Sequence, residues 1–384
     1  MGTRLIQTTA LAFLACATLV GCGRSGETGL VSSSLTDESV RPATELLRLG
    51  RIEGDGPEMF GKVRFVIADD LGRVFVGDEI AQEVRVFDSE GHFLRTLGRG
   101  GEGPGEFRGL SGLAFDPRGR AWVWDQLQQR FSVFDTSGAF VRSVPRRWPS
   151  SAVPWPGVFS VDGSLLDIRA DMGGLDPQRR VTQTFQHGGR VVRLDTVMTP
   201  IDSLPIVSVE RTAFAGNIII PFEGGVVAAV EPDGSMWFTH GPTYRIMRTD
   251  AKGDTTLTFL LDAPLVPVTP QERDSALAGM HLPPSLPAME PDFIPENKPA
   301  IVRLVRLGRD WIGAFPQLGS DTGRYMDVFS PDGHHQGRVD FGTKLLLVRG
   351  APYAGRGKLY GVTTDEFDVP FVVAFALGIP ALSS

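Results

Sequence analysis

Residues 98–107 read GRGGEGPGEF, and their interpretation decides the fold. Gly98, Gly100 and Gly103 fit the pattern G-x-G-x-x-G, which in dinucleotide-binding units cradles a phosphate between a strand and the helix that follows it. The flanking sequence denies that role. RGLSGLAFDP (108–117) and RGRAWVWD (118–125) come next. They offer no helix cap and no 3.6-residue apolar period. Two short apolar runs separated by a turn are hairpin chemistry.

The stretch also has a copy. GDGPEMF (54–60) aligns with GEGPGEF (101–107) at an offset of 47 residues. LGRVFVGD (71–78) then pairs with RGRAWVWD (118–125), and VRVFDSEGHFLR (84–95) with FSVFDTSGAFVR (131–142). Sixteen of the 42 aligned positions are identical. A period of this length marks a solenoid, a propeller or an array, and it turns the glycines into a loop between repeats. Within each repeat, short β runs flank Asp88–Gly91 or Asp135–Gly138, tight turns in which Gly supplies the positive φ. Four antiparallel strands per repeat make a propeller blade.

A marker counts the blades: Gly followed three residues later by a large apolar residue. It occurs at Gly72/Phe75, Gly119/Trp122, Gly163/Leu166, Gly234/Trp237, Gly308/Trp311 and Gly357/Tyr360. The fold expected is therefore all-β, a six-bladed β-propeller of four-stranded antiparallel blades over residues 44–384. The long interval from Gly163 to Gly234 keeps a seven-bladed ring as the alternative, with RTAFAGNIIIPF (211–222) as the extra hairpin. LLRLGRIEGDGP (46–57) occupies the place of a last strand without the first three of its blade. The chain's end, from Lys358 to Leu377, supplies three strands without a fourth. The N-terminal strand is thus expected to close the ring. An insertion at 264–299 reads as partly helical. Thr269 and Glu272 form a capping box, Pro270 suits the first helical position, and Pro283-Pro284 stops the helix.

GEGPGEF, GLAFDPRGRAWVWD (112–125) and RFSVFDTSGAF (130–140) together resemble the NHL-repeat family of β-propellers across residues 54–144. The resemblance implies an interaction platform. It also implies that Asp78, Asp125 and Arg130 occupy the repeat's structural Asp and Arg positions, holding turns and loops.

The N-terminus carries an address. MGTRLIQTTALAFLACATLVGC has Arg4, an apolar run from Ala10 to Val20, and Leu19-Val20-Gly21-Cys22. This resembles a bacterial lipobox, so residues 1–21 are expected to be a lipoprotein signal peptide and Cys22 the lipidated residue, anchored to a membrane. Residues 22–43, rich in Gly, Ser and Thr, read as a flexible tether. Gly23 after the cysteine favours the outer membrane where the organism has one. Cys16 and Cys22 are the chain's two cysteines, so no disulfide framework or Cys metal site exists in the body. A net charge of −7 argues against a nucleic-acid partner.

Candidate chemistry is sparse, and no catalytic residue is assigned. His240 takes the loop position of Asp78 and Asp125, whereas His92, His187, His281, His334 and His335 read as solvated loop residues. Lys62, Arg64, Arg108 and Arg303, with Arg306, lie near predicted inner strands, where cations can ring the channel and receive an anion. Asp365, Glu366 and Asp368 offer oxygens to a divalent cation such as Ca²⁺. The competing reading of those three is a solvated loop bonding its own backbone. The function expected is a membrane-anchored extracytoplasmic scaffold without a required cofactor, binding a ligand or an envelope protein, peptide or glycan. The alternative is a divalent-metal-dependent propeller hydrolase or lyase, which would need carboxylates or imidazoles at the inner-strand starts, where Arg64 and Ser111 stand instead.

Overall fold

Each copy of the repeat folds as one twisted antiparallel sheet, because its short β runs alternate with Asp/Gly turns at every strand end. The computed structural model describes residues 29–34, 40–146, 157–174, 183–214, 218–280, 291–308, 310–347 and 350–379. The chain begins with β1 (Gly29–Ser34), β2 (Val40–Pro42) and β3 (Thr44–Leu49). Blade 1 follows as β4 (Val63–Ala68), β5 (Val74–Asp78), β6 (Glu83–Phe87) and β7 (Phe93–Leu97). Blade 2 is β8 (Leu110–Phe115), β9 (Ala121–Asp125), β10 (Arg130–Phe134) and β11 (Phe140–Pro145). Blade 3 is β12 (Val158–Phe159), β13 (Leu165–Gly173), β14 (Gln183–Leu194), β15 (Pro200–Phe214) and β16 (Ile218–Ile219).

Blade 4 is β17 (Val227–Val230), β18 (Met236–Thr239), β19 (Arg245–Thr249) and β20 (Thr255–Asp262). Blade 5 is β21 (Ile301–Gly308), β22 (Trp311–Pro316), β23 (Tyr325–Phe329) and β24 (His335–Asp340). Blade 6 is β25 (Tyr353–Gly355), β26 (Lys358–Thr364) and β27 (Pro370–Ala376), completed on its outer edge by β3. The N-terminal strand therefore closes the ring, with Leu49 opposite Val372.

The described residues form six sheets and no seventh blade. The surplus residues of blade 3 lengthen its strands, and Ala213 and Phe214 of β15 pair with β16 as a fifth strand on the same sheet. Extending existing ladders satisfies the extra backbone groups without a new interface.

The expected tether needs correction over part of its length. β1 pairs in parallel with β20 on the outer edge of blade 4, and β2 pairs in parallel with β24 on that of blade 5. Residues 29–34 and 40–43 are thus a strap across exposed strand edges, which otherwise present unpaired N–H and C=O groups. Residues 1–28, including the signal peptide and Cys22, lie outside the described residues.

The core is distributed. Six apolar clusters each sit between two neighbouring blades. Phe75 and Leu113 meet between blades 1 and 2, Trp122 and Leu165 between 2 and 3, and Trp237 and Leu304 between 4 and 5. Tyr360 and Val66 seal the junction of blades 6 and 1. Trp122 and Trp237 are fully buried. Burying one such side chain stabilises the ring by roughly 2–3 kcal/mol. Between blades 3 and 4 the described cluster includes Leu166, Val191, Val230 and Met236 as buried members.

The repeat's polar residues hold its loops. Asp125 accepts backbone N–H bonds from Arg108 (2.7 Å), Gly109 (3.1 Å), Leu127 (2.9 Å) and Gln128 (2.9 Å). Asp78 does the same for Gly61, Lys62, Ile80 and Ala81. Arg130 donates to the carbonyls of Glu102, Gly103 and Glu106 in the Gly-rich loop. Arg85, two residues further along its strand in the repeat alignment, donates to Pro57 and Met59. The loop that resembles a phosphate cradle is therefore a structural turn, its carbonyls bound by arginine.

The insertion forms α1 (Pro270–Gly279), with both bonds of the Thr269/Glu272 capping box present. Lys298 returns to pair with Glu272 at 2.5 Å. Residues 281–290, including the expected Pro283-Pro284 stop and His281, lie outside the described residues. Among the described residues no helix is long and apolar enough to cross a membrane.

Candidate functional site

The inner strands β4, β8, β12, β17, β21 and β25 enclose the channel. Each runs from the end where blades are joined to the end where the first strand turns into the second. A cavity of about 790 Å³ lies among their C-terminal halves, within the range of small-molecule sites. Ile67, Phe115, Val158, Ile168, Val226 and Tyr353 supply much of its apolar wall. Arg303 and Arg306, both on β21, supply positive charge. Register shifts at Ile301/Arg303 and Arg306/Gly308 bracket the two arginines, and such bulges re-aim side chains out of the regular pleat.

Three acids of the wall are each held by an arginine, and a fourth, Asp70, is exposed. Asp69 accepts from the backbones of Leu71 (3.0 Å) and Arg73 (2.9 Å) and pairs with the Arg73 guanidinium at 2.7 Å. Asp116 repeats this with Arg118 and Arg120, and also accepts from the Trp122 indole at 3.0 Å. Asp167 is bonded by Arg146, whose guanidinium lies over the Trp124 ring at 4.8 Å. Arg306 donates to Glu231 at 3.1 Å. Burial pushes Arg303 down to about 10, so it remains a cation at neutral pH. Burial pushes the Tyr353 hydroxyl up to about 12, and that hydroxyl donates to the Ala68 carbonyl at 3.2 Å.

Of the residues singled out in the sequence, Arg303 lines the cavity. Lys62 and Arg64 sit at the opposite end of the first inner strand, sharing Glu79 at 3.3 and 3.4 Å. Arg108 is exposed and pairs with Glu102 at 2.6 Å. His240 lies 3.3 Å from Arg245; burial, helped by that guanidinium, lowers its pKa and keeps it neutral. These four ring the far entrance separately and do not converge.

Asp365 spends one carboxylate oxygen on the backbone N–H groups of Phe367 and Val369, both at 2.9 Å, as a turn-forming Asp does. Glu366 and Asp368 project from the same turn into solvent. Among the described residues, the trio of metal-ligating types whose ligand atoms approach within 4.8 Å is a different one: Asp88, Glu90 and His92 on the outer hairpin of blade 1. Asp88 already accepts the backbone N–H groups of Glu90 and His92 there.

Tyr353, Glu231, Asp167 and Arg146 carried no signal of a site in the sequence. Tyr353 and Asp167 line the cavity, while Glu231 and Arg146 stand behind it, bonded to Arg306 and Asp167. The four come from different blade segments, and none lies in a recognisable motif.

Comparison with known proteins agrees with this architecture. A family described as a 6-bladed beta-propeller matches residues 59–144. No curated protein matches the sequence. Among solved structures, the chain is similar to a candidate exported protein from Bacteroides fragilis NCTC 9343. The two share 13% identity over 91% of this chain and 100% of that one, with a TM-score of 0.51. A member of the DUF4221 family from Bacteroides vulgatus is 12% identical over 87% of this chain and 97% of its own, with a TM-score of 0.50. At these identities the likeness is one of fold.

Proposed function

We propose that this protein is an exported, lipid-anchored propeller that binds a ligand or partner in the bacterial cell envelope. The observation that carries the binding role is the channel cavity, an apolar chamber with arginine on one wall. The lipobox-like Leu19–Cys22 carries the address, and the likeness to a candidate exported protein supports it. An anchor at Cys22 would hold the ring close to the membrane. β1 starts at Gly29, so the intervening chain reaches at most about 24 Å even when fully extended. The edge of blade 4 would then be the part nearest the lipid surface.

The test is expression of the full chain and of Cys22→Ser in a bacterial host. The unaltered chain fractionates with membranes, and its N-terminal peptide has the mass of an acylated cysteine. Cys22→Ser lacks that mass. Recovery of an unmodified Cys22 from the unaltered chain overturns the anchor.

A further inference from the structure

We infer that the end of the ring where the blades are joined docks a cationic amphipathic segment of another protein, whose apolar side chains cover Phe367, Ile52, Ile80 and Leu127. This surface lies at the opposite end from the channel cavity, and it goes beyond the binding role proposed above.

The first observation is a repetition. In blades 6, 1 and 2, consecutive around the ring, the loop between the second and third strands carries an apolar residue two positions after an aspartate. Phe367, Ile80 and Leu127 are 71%, 71% and 65% exposed. The aspartate bonds that residue's own backbone N–H each time, at 2.9 Å from Asp365, 3.0 Å from Asp78 and 2.9 Å from Asp125. The three side chains are thus presented alike, from loops fixed in advance, which lowers the ordering cost of docking.

Isolated apolar side chains are ordinary on a protein surface, whereas a contiguous row marks an interaction site. Ile52, 55% exposed, extends the row. It lies on the connector from blade 6 to blade 1, which starts with Gly50 against Phe371 and ends with Gly61 against Ile80. Gln82, on the Ile80 loop, accepts the Leu110 N–H of blade 2 at 3.1 Å. At the opposite end of the ring the same aspartate bond holds Ser137, Val197 and Lys252 in blades 2, 3 and 4. There the apolar side chain does not recur.

The second observation is charge. The cations beside the row are paired within their own loops: Arg51 with Glu58, Lys62 and Arg64 with Glu79, and Arg108 with Glu102. Glu53, Asp55, Glu366 and Asp368 sit on the loops of Ile52 and Phe367, exposed and without an ion pair among the described residues. One exposed lysine, Lys344, stands on the connector entering blade 6 and leaves the balance negative. An apolar row with acid on its flank fits a partner with an apolar face and a basic flank. A second copy of this chain in a two-fold contact would bring the same acids. An anionic lipid surface would repel them. The chain from Cys22 also reaches the ring from the other end, where Gly29 lies opposite Leu257, just past the 250–254 hairpin.

The experiment is fluorescence anisotropy of a labelled helical peptide of leucine and lysine, titrated with the full chain in a non-ionic detergent. Protein-free detergent is the baseline, and a leucine–glutamate peptide of the same pattern runs beside it. The lysine peptide is expected to bind saturably, one per chain, about tenfold or more tighter than the glutamate peptide. Phe367→Ser and Leu127→Ser each weaken it about tenfold. Glu366→Lys weakens it and flattens its salt dependence. Val197→Ser, at the other end, leaves it unchanged. All four positions are exposed, so the variants keep the fold, which an unchanged thermal midpoint verifies. Absence of saturable binding, equal binding of the two peptides, or indifference to both serine variants of the row overturns the proposal. So does a dimer in sedimentation velocity that Phe367→Ser dissociates, which would make a second copy the occupant. Protection of residues 364–369 from hydrogen exchange in vesicles of phosphatidylethanolamine and phosphatidylglycerol would make it lipid, and overturns the proposal too. None of these outcomes bears on the channel cavity or on Cys22.

Discussion

Leu49 of the N-terminal strand lies directly opposite Val372 of the last strand in the chain, and this pairing closes the ring. Leu49 is buried in the cluster that joins blade 6 to blade 1. Its truncation to Ala is expected to cost about 2–5 kcal/mol. Removing residues 44–49 altogether takes the outer strand from blade 6 and should abolish cooperative unfolding. Urea titration followed by tryptophan fluorescence reads both. A deletion that still unfolds cooperatively at the same midpoint would show the ring closed by some other contact.

The Gly-rich loop yields a sharper contrast. Gly98 has φ +68°, and a Cβ there would meet the Phe107 ring at 2.2 Å and the Gly105 carbonyl at 2.6 Å. Gly98→Ala should therefore destabilise by about 2 kcal/mol or more, from strain and overpacking together. Gly103 has no positive φ, and its Cβ would meet only the movable end of Glu106. Gly103→Ala should fall within about 1 kcal/mol of the parent. Equal effects at the two positions would contradict the turn reading.

Asp327 is fully buried between blades 4 and 5. It accepts from Arg338 at 2.7 and 2.9 Å and from the Tyr244 hydroxyl at 2.7 Å, with the His335 ring at 3.4 Å. Burial acts to raise its pKa, but the hydrogen bonds and the Arg338 charge prevail and lower it. A carboxyl whose folded pKa lies below its unfolded value of about 3.9 stabilises the fold above that pH. The contribution is lost as pH falls through the folded pKa. Asp327→Asn leaves the partly buried Arg338 without its counter-charge and should cost about 3 kcal/mol at pH 7. The difference between parent and variant should shrink below about pH 4, as measured by urea unfolding across pH. A difference that stays constant down to pH 2 would mean that Asp327 acts by shape alone.

Divalent cations should not matter to stability. One oxygen of Asp365 is already bonded to its own turn, and Glu366 and Asp368 point outward from it. Thermal unfolding is expected to be the same in EDTA as with Ca²⁺, Mg²⁺, Mn²⁺ or Zn²⁺ added. A bound ion at a hundred times its dissociation constant would add about 2.7 kcal/mol, well within detection. A loss of several degrees in EDTA, restored by one cation, would favour the metal-dependent hydrolase or lyase reading.

The blade is legible in the sequence because its determinants are local. Asp88 and Gly91 shape a hairpin four residues long, and Asp125 clamps loops within 17 residues of itself. The six markers of Gly and a large apolar residue follow from the same short-range rules, as does the capping box at Thr269. The strap was not legible. β1 and β2 are held by backbone pairing to strand edges, which asks for no apolar pattern, so a Ser-rich stretch reads as unstructured.

By itself, the sequence determined a closed propeller, with six blades expected and seven left open, its closure by the N-terminal strand and the structural duty of the Gly-rich loop. Each of these rests on a repeated pattern or on two halves of one blade, visible as such in the chain. Only the tertiary structure decided which charged residues share a chamber. Tyr353 reaches the Ala68 carbonyl across 285 residues of sequence, and Arg306 reaches Glu231 across 75. Every blade contributes one inner strand to the channel. Its wall is therefore written as single residues in six distant places, with no spacing that a linear reading can detect.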